Sequence, residues 1–201
     1  SNRPALVHAH GGEAGVVARL FLRGPVLISY CGADLLGSPA ADGSIALSWR
    51  IRRWLLRRHA CLANATITKS KQMEDTLPPR IRSRNTVVPN GINRSLFRPM
   101  SRSKARSELG WRDDDVVVLF AANPDNERKG FKMARSACEI ASKKIDGLRL
   151  QVAWGVPPDK MPKLMAAADC LLFPSLSEGS PNVVKEAIAC ALPVITTDVG
   201  D

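Results

Sequence analysis

Apolar residues fall into eight short runs along the chain, separated by stretches in which they recur at helical spacing. Several runs are almost continuous in Val, Ile and Leu, which is typical of parallel strands covered on both faces. The pattern predicts strands at Ala5–Ala9, Val26–Tyr30, Thr66–Thr68, Thr86–Pro89, Val116–Ala121, Leu148–Ala153, Cys170–Pro174 and Pro193–Thr196.

The segments between these runs have the amphipathic spacing of helices. They predict helices at about Gly15–Leu22, Ser44–Ala60, Lys69–Thr76, Lys104–Leu109, Lys129–Lys144, Met161–Ala168 and Pro181–Ala191. Strands that alternate with helices indicate repeated βαβ units. We therefore predict an α/β fold with doubly wound parallel sheets.

The periodic pattern weakens between Asn90 and Arg102, where proline, glycine and arginine crowd together. We place a boundary there and predict an N-terminal domain over residues 1–94 and a C-terminal domain over residues 95–201. The chain opens close to a strand and stops within a strand-to-helix turn at Asp201. Complete doubly wound domains extend further on each side, so we expect both domains to be incomplete.

Composition narrows the class of protein. The 201 residues are 45% hydrophobic and 24% charged, which favours an ordinary globular fold. No apolar run approaches the ~20 residues that a membrane-spanning helix needs, and the polar first residues do not resemble a signal peptide. The five cysteines are scattered and form no Cys-x-x-Cys pair, which argues against a disulfide framework or a structural zinc site. We interpret them as reduced thiols of a cytoplasmic protein.

The formal net charge of +10 favours anionic partners: nucleotide diphosphates, nucleic acid or an anionic membrane surface. Charge alone does not choose among them. A nucleic-acid-binding protein should carry stacking aromatic residues or a groove-reading motif. The chain has one tyrosine and no such motif, so we expect no nucleic-acid partner.

The most informative segment runs from Leu171 to Ala187 and has the pattern of a strand, a loop and a helix. Ser180 suits a helix N-cap, Pro181 suits the first helical position, and Gly179 permits close approach of a ligand to the backbone. The pattern predicts free N–H groups and a helix N-terminus at the carboxyl edge of a parallel sheet. An anionic ligand is expected there.

Two carboxylates flank this helix start. Glu178 lies in the loop, and Glu186 lies about two turns into the helix within an apolar stretch. A buried carboxylate needs hydrogen-bond donors, and paired sugar hydroxyls would supply them. Two exposed helix glutamates are an equally good explanation from the residues alone.

The surrounding pattern resembles a known family. Phe-Pro-Ser-x-x-Glu-Gly-x-Pro-x-x-x-x-Glu-Ala, followed by Leu-Pro-Val-Ile, is similar to the signature of family 4 glycosyltransferases of the GT-B fold. That resemblance implies two Rossmann-like domains facing each other across a cleft. It also implies that Glu178 contacts the hydroxyls of the donor sugar and Glu186 accepts the ribose hydroxyls. The backbone of the intervening segment would then meet the sugar and the phosphates: Gly179, Ser180, Pro181, Asn182 and Val183.

Three further segments agree with this resemblance. Val87–Asn93 with Phe97–Pro99 is similar to the family's crossing between domains, and Val7–Gly12 to the strand end that faces the donor. Arg128-Lys129-Gly130 is similar to the basic element that holds the diphosphate. Cations beside a leaving diphosphate stabilise its growing charge. The alternative is a solvated helix start, although cations are unfavourable there. The family usually has an arginine near the position of Asn123, so we expect the phosphate site either to be weaker or to be supplied in part by Arg128.

His10 ends the first strand next to Gly11 and Gly12. The resemblance implies that His10 contacts the sugar or the acceptor, although a structural histidine is the common alternative. Gly11 and Asp34 are candidates for a cleft loop, and Asp34 could equally cap the next turn. The resemblance thus assigns Glu178, Lys129 and His10 as the catalytic set.

Two other motifs have simpler explanations. Asp113–Asp115 contains the Asp-x-Asp of metal-dependent glycosyltransferases, but it precedes a strand and indicates a solvated turn. Ser48–Arg58 predicts a basic amphipathic helix. Such a helix could touch anionic lipid or a lipid-linked acceptor, but a core-packed helix with a solvated basic face is favoured.

The resemblance implies retaining transfer of a sugar from a nucleotide-diphosphate sugar to an acceptor hydroxyl. It implies neither a metal nor another cofactor, because the nucleotide sugar is a co-substrate. The expected partners are the donor, a glycan or lipid-linked acceptor, and peripherally an anionic membrane; the expected location is the cytoplasm, at the inner membrane face. A nucleotide-sugar epimerase of the same fold and a non-catalytic binding module are the alternatives.

Overall fold

The computed structural model describes residues 4–40 and 42–201, which form two compact units. Of the described residues, the first unit comprises 4–40, 42–90, 177–181 and 199–201, and the second comprises 91–176 and 182–198. Each unit contains a four-stranded parallel sheet. All eight predicted strands are present, and each agrees with its predicted bounds to within two residues.

In the first unit the strands lie in chain order: β1 (Val7–His10), β2 (Val26–Ser29), β3 (Ala65–Thr68) and β4 (Asn85–Val87). The helices between them are α1 (Gly12–Phe21), α2 (Ala33–Leu36), α3 (Leu47–His59), α4 (Lys71–Asp75) and α5 (Pro79–Arg82). A short 3-10 turn, Ala60–Leu62, extends α3.

Successive side chains along each strand point to opposite faces of this sheet, and the two faces differ in burial. The face that includes Ala9, Val26 and Ile28 is buried and forms the core of the unit. Helix α1 lies close against it, since a Cβ added at Gly15 would sit 2.5 Å from the Ile28 side chain. The other face includes His8 and His10, which are exposed.

In the second unit the strands are β5 (Val116–Phe120), β6 (Leu148–Val152), β7 (Cys170–Phe173) and β8 (Val194–Thr196). The helices are α6 (Arg102–Leu109), α7 (Phe131–Ala141), α8 (Met161–Ala167) and α9 (Asn182–Ala189). Leu119, Phe120 and Leu171 on the strands, with Ala134 and Ala187 on the helices, belong to one buried apolar cluster.

The strand order of this second sheet is β6-β5-β7-β8. The connection from β5 runs to β6 on one side, whereas the connection from β7 runs to β8 on the other. Open α/β sheets bind ligands at the carboxyl ends of the strands where the connections diverge in this way. The topology therefore points to the loops after β5 and β7, which contain residues 121–130 and 174–181.

Two short helices, α2 and α5, had not been predicted. Each has four residues, too few for an apolar period to register in the sequence. The predicted helices α3, α4, α7 and α9 are shorter in the structure than their sequence pattern. Pro181 was predicted at the first helical position, but α9 begins one residue later, at Asn182. None of the described helices is long and apolar enough to cross a membrane.

Candidate functional site

The loop after β5 ends in a tight basic turn. Glu127–Lys129 form a single 3-10 turn, and the Asn126 side chain accepts a hydrogen bond from the Arg128 N–H at 3.2 Å. Gly130 follows with φ of 72°, a left-handed conformation that glycine adopts without strain, and α7 begins at the next residue. Arg128 and Lys129 are both partly buried.

This basic turn is fastened to the end of β7. The Arg128 carbonyl accepts the Leu176 N–H at 2.8 Å and the Ser175 hydroxyl at 3.1 Å. The Lys129 ammonium lies 5.3 Å from the centre of the Phe173 ring. A Cβ added at Gly130 would sit 2.1 Å from the Pro174 carbonyl oxygen, closer than any real contact. The fold therefore holds two cations at the carboxyl ends of β5 and β7.

The strand end on the other side of β7 is fixed as well. The Thr196 hydroxyl donates to the Phe173 carbonyl at 3.0 Å, and the Thr197 hydroxyl donates to the Ser175 carbonyl at 2.5 Å. Residues 173–176 are thus hydrogen-bonded to the basic turn and to the end of β8. A rigid loop of this kind suits a ligand site, because binding then orders little additional chain.

Glu186 lies in the second turn of α9, partly buried. Burial raises the pKa of its carboxyl group, because the charged form loses hydration there. Ligand hydroxyls that donate to this carboxylate would restore the lost hydrogen bonds. Glu186 and the basic turn belong to the same structural unit, and α9, which contains Glu186, follows the loop at the carboxyl end of β7.

The segment Ser177–Pro181 belongs to the first unit by its contacts. The Ser180 hydroxyl accepts the Asn90 N–H at 2.9 Å, and the Asn90 side-chain amide donates to the Ser180 carbonyl at 3.2 Å. Gly179 lies against Gly32, since an added Cβ would sit 3.0 Å from the Gly32 Cα. Glu178, partly buried, lies in this closely packed segment.

Asp34 is buried at the carboxyl end of the first sheet. One of its carboxylate oxygens accepts two backbone hydrogen bonds, from Gly12 and from Cys31, each at 3.0 Å. These bonds join the loop after β1 to the loop after β2. Asp34 therefore organises the backbone around Gly11, which has a φ of 94°, and its contact with a ligand stays a prediction.

His10 ends β1 with its side chain exposed. Its ring centre lies 4.3 Å from that of His8, and the His8 ring is within 2.8 Å of the Ser29 hydroxyl. His8 is thus held by a neighbouring strand, in agreement with a structural role for it. His10 lies directly before Gly11, where the chain leaves the strand.

The Asp-x-Asp motif lies in a turn at the amino end of β5, as expected. Arg112 pairs with Asp114 through two hydrogen bonds, of which the Nε bond is 2.9 Å, and Asp115 accepts from Arg149 at 3.2 Å. Among residues 4–40 and 42–201, no cluster of three or more His, Cys, Asp or Glu side chains could hold a metal ion.

Comparison with known proteins places this geometry in a family. The family model described as "Glycosyltransferase Family 4" matches residues 1–96, and the model described as "Glycosyl transferases group 1" matches residues 128–201. The chain belongs to the family 4 glycosyltransferases. The family resemblance predicted from the segment that contains Glu178 and Glu186 is thereby confirmed. The roles of these residues stay predictions.

Relatives of this chain support the family assignment. TuaC of Bacillus subtilis (strain 168), named as a glycosyltransferase of teichuronic acid biosynthesis, is 26% identical over 98% of the chain and 54% of its own length. A D-inositol 3-phosphate glycosyltransferase of Nocardia farcinica is 27% identical over 97% of the chain and 51% of its own length. The chain thus spans about half the length of these relatives.

Solved structures establish the fold as GT-B. Sucrose-phosphate synthase from Thermosynechococcus elongatus is similar with a TM-score of 0.71 and 20% identity, over 98% of this chain and 56% of that one. HepE of Anabaena, solved with UDP-glucose, is similar with a TM-score of 0.69 and 19% identity, over 98% and 60%.

Sequence reasoning had assigned no individual role to two residues of this chain. Gly130 allows the basic turn to reach β7, and a glycine directly after two cations was the available signal. Asn90 binds Ser180 from 90 positions away in the chain. No local pattern carries such a pairing, because it depends on tertiary packing.

Proposed function

We propose that the protein transfers a sugar from a nucleotide-diphosphate sugar to an acceptor hydroxyl with retention of configuration. The observation that carries the proposal is the basic turn Glu127–Gly130, which is hydrogen-bonded at the ends of β5 and β7. The strand order of the sheet predicts a ligand at this place, and the two cations favour an anionic one. Membership of the family supports the same activity.

The phosphates are assigned to Arg128 and Lys129. As the bond between the sugar C1 and the diphosphate oxygen breaks, negative charge grows on the leaving oxygen. Cations already held by the fold stabilise that charge without reorganising. The acceptor oxygen forms the new bond to C1 and transfers its proton to the departing phosphate, so the proposed step needs no protein base.

The two glutamates are assigned to different parts of the donor, the ribose and the sugar. Glu186 accepts hydrogen bonds from the ribose hydroxyls, which would compensate for its desolvation. Glu178 accepts from the hydroxyls of the sugar. The backbone of Gly179, Ser180, Pro181, Asn182 and Val183 surrounds the sugar and the phosphates. His10, with Gly11, contacts the sugar or the acceptor, and Asp34 supports that loop.

The donor class is supported by the solved neighbour HepE, whose structure contains UDP-glucose. The acceptor that we propose is a glycan or a lipid-linked glycan of cell-envelope polysaccharide synthesis, in line with the teichuronic acid role in the name of TuaC. The reaction needs no metal and no cofactor in this proposal. It takes place in the cytoplasm, at the inner face of the membrane.

A transfer assay on the full natural protein tests this function. UDP-, GDP- and ADP-sugars are offered with and without glycan acceptors, and the products are identified by mass spectrometry and NMR. Glu178→Gln should lower transfer at least roughly 100-fold while nucleotide affinity is kept, because the lost contact is to the sugar alone. The matched control is Glu139→Gln, an exposed change on α7.

Three results would contradict the proposal. One is an epimerised nucleotide sugar formed from donor alone, which would indicate an epimerase. Another is nucleotide binding without transfer to any acceptor, which would indicate a binding module. The third is equal transfer by the Glu178 variant and its control.

A further inference from the structure

The loop after β7 is attached to the end of β8 through a side-chain hydroxyl group. The last paired residues of the two strands are Phe173 and Thr196. Beyond them, the Thr197 hydroxyl donates to the Ser175 carbonyl at 2.5 Å. A side chain therefore provides, past the end of the ladder, the kind of hydrogen bond that backbone groups provide within it.

Ser175 connects this attachment to the basic turn. Its side chain is fully buried, and its hydroxyl donates to the Arg128 carbonyl at 3.1 Å. Hydrogen bonds thus run from Thr197 through Ser175 to Arg128, that is, from the end of β8 through the loop after β7 to the turn after β5. We call the two side-chain groups, those of Thr197 and Ser175, the hydroxyl pair.

The Arg128 carbonyl would remain satisfied without the Ser175 hydroxyl. Loss of a hydrogen bond is most costly when a buried group is left with no partner, and here the Leu176 N–H also donates to this carbonyl, at 2.8 Å. A carbonyl oxygen has two lone pairs, and donors from two adjacent residues fix its direction more closely than one donor does. Removal of the hydroxyl should therefore change geometry more than stability.

The peptide group that accepts these bonds joins Arg128 to Lys129. A peptide group is planar, so its orientation sets the directions in which both side chains leave the backbone. Its other polar atom is held as well, because the Lys129 N–H donates to the Asn126 carbonyl at 2.9 Å. The position of the two cations thus depends on one peptide group, which is held from both sides.

The close fit between the turn and the loop after β7 leaves little room for independent movement. A Cβ added at Gly130 would sit 2.1 Å from the Pro174 carbonyl oxygen. Ser175 is the next residue along the loop and is itself fully buried. A displacement of Ser175 should therefore displace the basic turn, because packed interiors have few voids that could absorb it.

We infer that Thr197 and Ser175 are positioning residues of the transfer reaction. Their hydroxyl groups hold the peptide group between Arg128 and Lys129 where the two cations meet the leaving diphosphate. Misplacement of a catalytic group by about 1 Å can cost roughly 100-fold in rate. The inference rests on the proposed function for the roles of Arg128 and Lys129, and it adds two residues to which that function assigns no contact with the donor.

Thr197→Val tests the first hydroxyl in the full natural protein, since valine has a similar shape but cannot donate. We expect kcat to fall roughly 10- to 30-fold and the KM for the donor to change less than about threefold, because the charge on the leaving oxygen grows only as the bond breaks. Thr197→Ser keeps the hydroxyl and should restore kcat to within about threefold of the parent.

Ser175→Ala tests the second hydroxyl and should show the same division between kcat and KM. The double variant Thr197→Val with Ser175→Ala should lose little more than the more affected single variant, because both hydroxyls act on one peptide group. The control is Thr76→Val. The Thr76 hydroxyl is partly buried and donates to the Met73 carbonyl at 2.7 Å in the first unit, so its removal should leave kcat within about twofold of the parent.

Nucleotide affinity gives a second measurement that does not require transfer. The probe is whichever of UDP, GDP and ADP binds the parent most tightly, together with its nucleoside. Both hydroxyl variants should bind the nucleoside diphosphate roughly 5- to 10-fold more weakly and the nucleoside as tightly as the parent does, because only the diphosphate meets the cations. Rates are expressed per binding site counted in the same titration, so a smaller folded fraction does not lower kcat.

These measurements separate the inference from the proposed function. A parent that transfers no sugar contradicts the proposed function, and the affinity comparison still decides the positioning role. The inference is overturned if kcat and diphosphate affinity are unchanged in both hydroxyl variants. Equal losses in Thr197→Ser and Thr197→Val, or losses that add fully in the double variant, also overturn it. If Ser175→Ala fails to fold, the comparison of the valine and serine variants at the partly buried Thr197 decides.

Discussion

The two ends of the second sheet differ in the surroundings of their charged side chains. At the amino end, Arg106 of α6 is fully buried, and the structure satisfies its guanidinium internally. It donates to the carbonyls of Ala167, Arg112, Asp113 and Asp115 at 2.8–2.9 Å and to the Asp169 carboxylate at 2.8 Å. Asp169 also accepts the Val117 N–H at 2.7 Å, which connects α6, β5 and the loop before β7.

At the carboxyl end, charged side chains lie in the region that the proposed function assigns to the ligand. The basic turn with Arg128 and Lys129 is fastened through its backbone carbonyl, and the Glu186 carboxyl is desolvated enough to raise its pKa. A buried ion network of the first kind makes folding depend on each partner. A site of the second kind gives up some stability so that a substrate can complete it. The comparison predicts that changes at the amino end act on stability and changes at the carboxyl end act on binding.

The largest effect is expected for Arg106→Met. Removal of the guanidinium leaves several buried carbonyls without their donor, so the free energy of unfolding should fall by about 3–5 kcal/mol. Urea unfolding measures this change, and Arg135→Met on the exposed side of α7 is the control, with an expected change below about 0.5 kcal/mol. The nucleotide affinity of the folded variant should match that of the parent. A loss below about 1 kcal/mol would show that the network is not a stabilising centre.

Gly130→Ala should disturb both properties together. The added methyl group meets the Pro174 carbonyl at 2.1 Å, so the basic turn must move away from β7. We expect a loss of roughly 2–4 kcal/mol in stability and weaker binding of nucleotide diphosphates. Gly110→Ala is the matched control, because Gly110 has a similar φ of 67° but nothing within 4 Å. That control should lose only about 1 kcal/mol, and equal losses in the two variants would mean that the contact with Pro174 is unimportant.

Lys129→Ala should act on binding alone. Loss of one charge-assisted contact weakens nucleotide diphosphate binding roughly 10- to 100-fold. Nucleoside binding should not change, because a nucleoside has no phosphate group for Lys129 to contact. Calorimetry on both ligands, with Lys132→Ala on the exposed face of α7 as control, separates these cases. Equal losses for both ligands would remove Lys129 from the phosphate role.

A small effect on stability, of opposite sign to the losses above, is expected for Glu186→Gln. Because burial raises the pKa of Glu186, the folded protein binds its proton more tightly than the unfolded chain does. Ionisation of this group therefore lowers stability as the pH rises through the two pKa values. The glutamine variant avoids this penalty, so it should be slightly more stable than the parent at pH 8 and should lose that advantage as the pH falls toward 4.

The same variant should bind nucleotides several-fold more weakly, since a carboxylate accepts from ribose hydroxyls better than an amide does. In the parent, nucleotide affinity should fall as the pH drops through the raised pKa and the carboxylate is protonated. Thermal unfolding and calorimetry at pH 5, 6.5 and 8 measure both properties. A variant that is less stable than the parent at pH 8, with unchanged affinity, would show that Glu186 is a structural residue.

Much of the candidate site could be predicted from the sequence. The strand at Cys170–Phe173 follows from its run of apolar residues. The helix that starts near Pro181 follows from its helical spacing and from the glycine and proline that precede it. The separation of Glu178 from Glu186 is visible in the sequence itself. These features depend on residues near each other in the chain, where hydrophobic period and turn chemistry operate.

Other parts could not be predicted because they depend on distant pairings. Arg106 has the sequence signature of an ordinary helix arginine, and only the packing of α6 beside α8 surrounds it with carbonyls. Asp34 has a pattern that suits either a cleft residue or a cap, and the tertiary structure showed that it joins two loops. The core-packed helix that the sequence favoured for Ser48–Arg58 was wrong for Trp54, which is 58% exposed. A helical stripe does not reveal whether a neighbouring element covers it.

By itself, then, the sequence determined the alternation of eight strands with helices, the basic pair before α7 and the two glutamates of the loop and helix after β7. The tertiary structure decided the order β6-β5-β7-β8, and with it the place where the loops after β5 and β7 meet. It also decided that the Arg106 guanidinium is satisfied inside the protein, by carbonyls and by the Asp169 carboxylate. The physical reason is that local patterns specify the elements, whereas strand order and the partners of a buried charge depend on contacts between residues far apart in the chain.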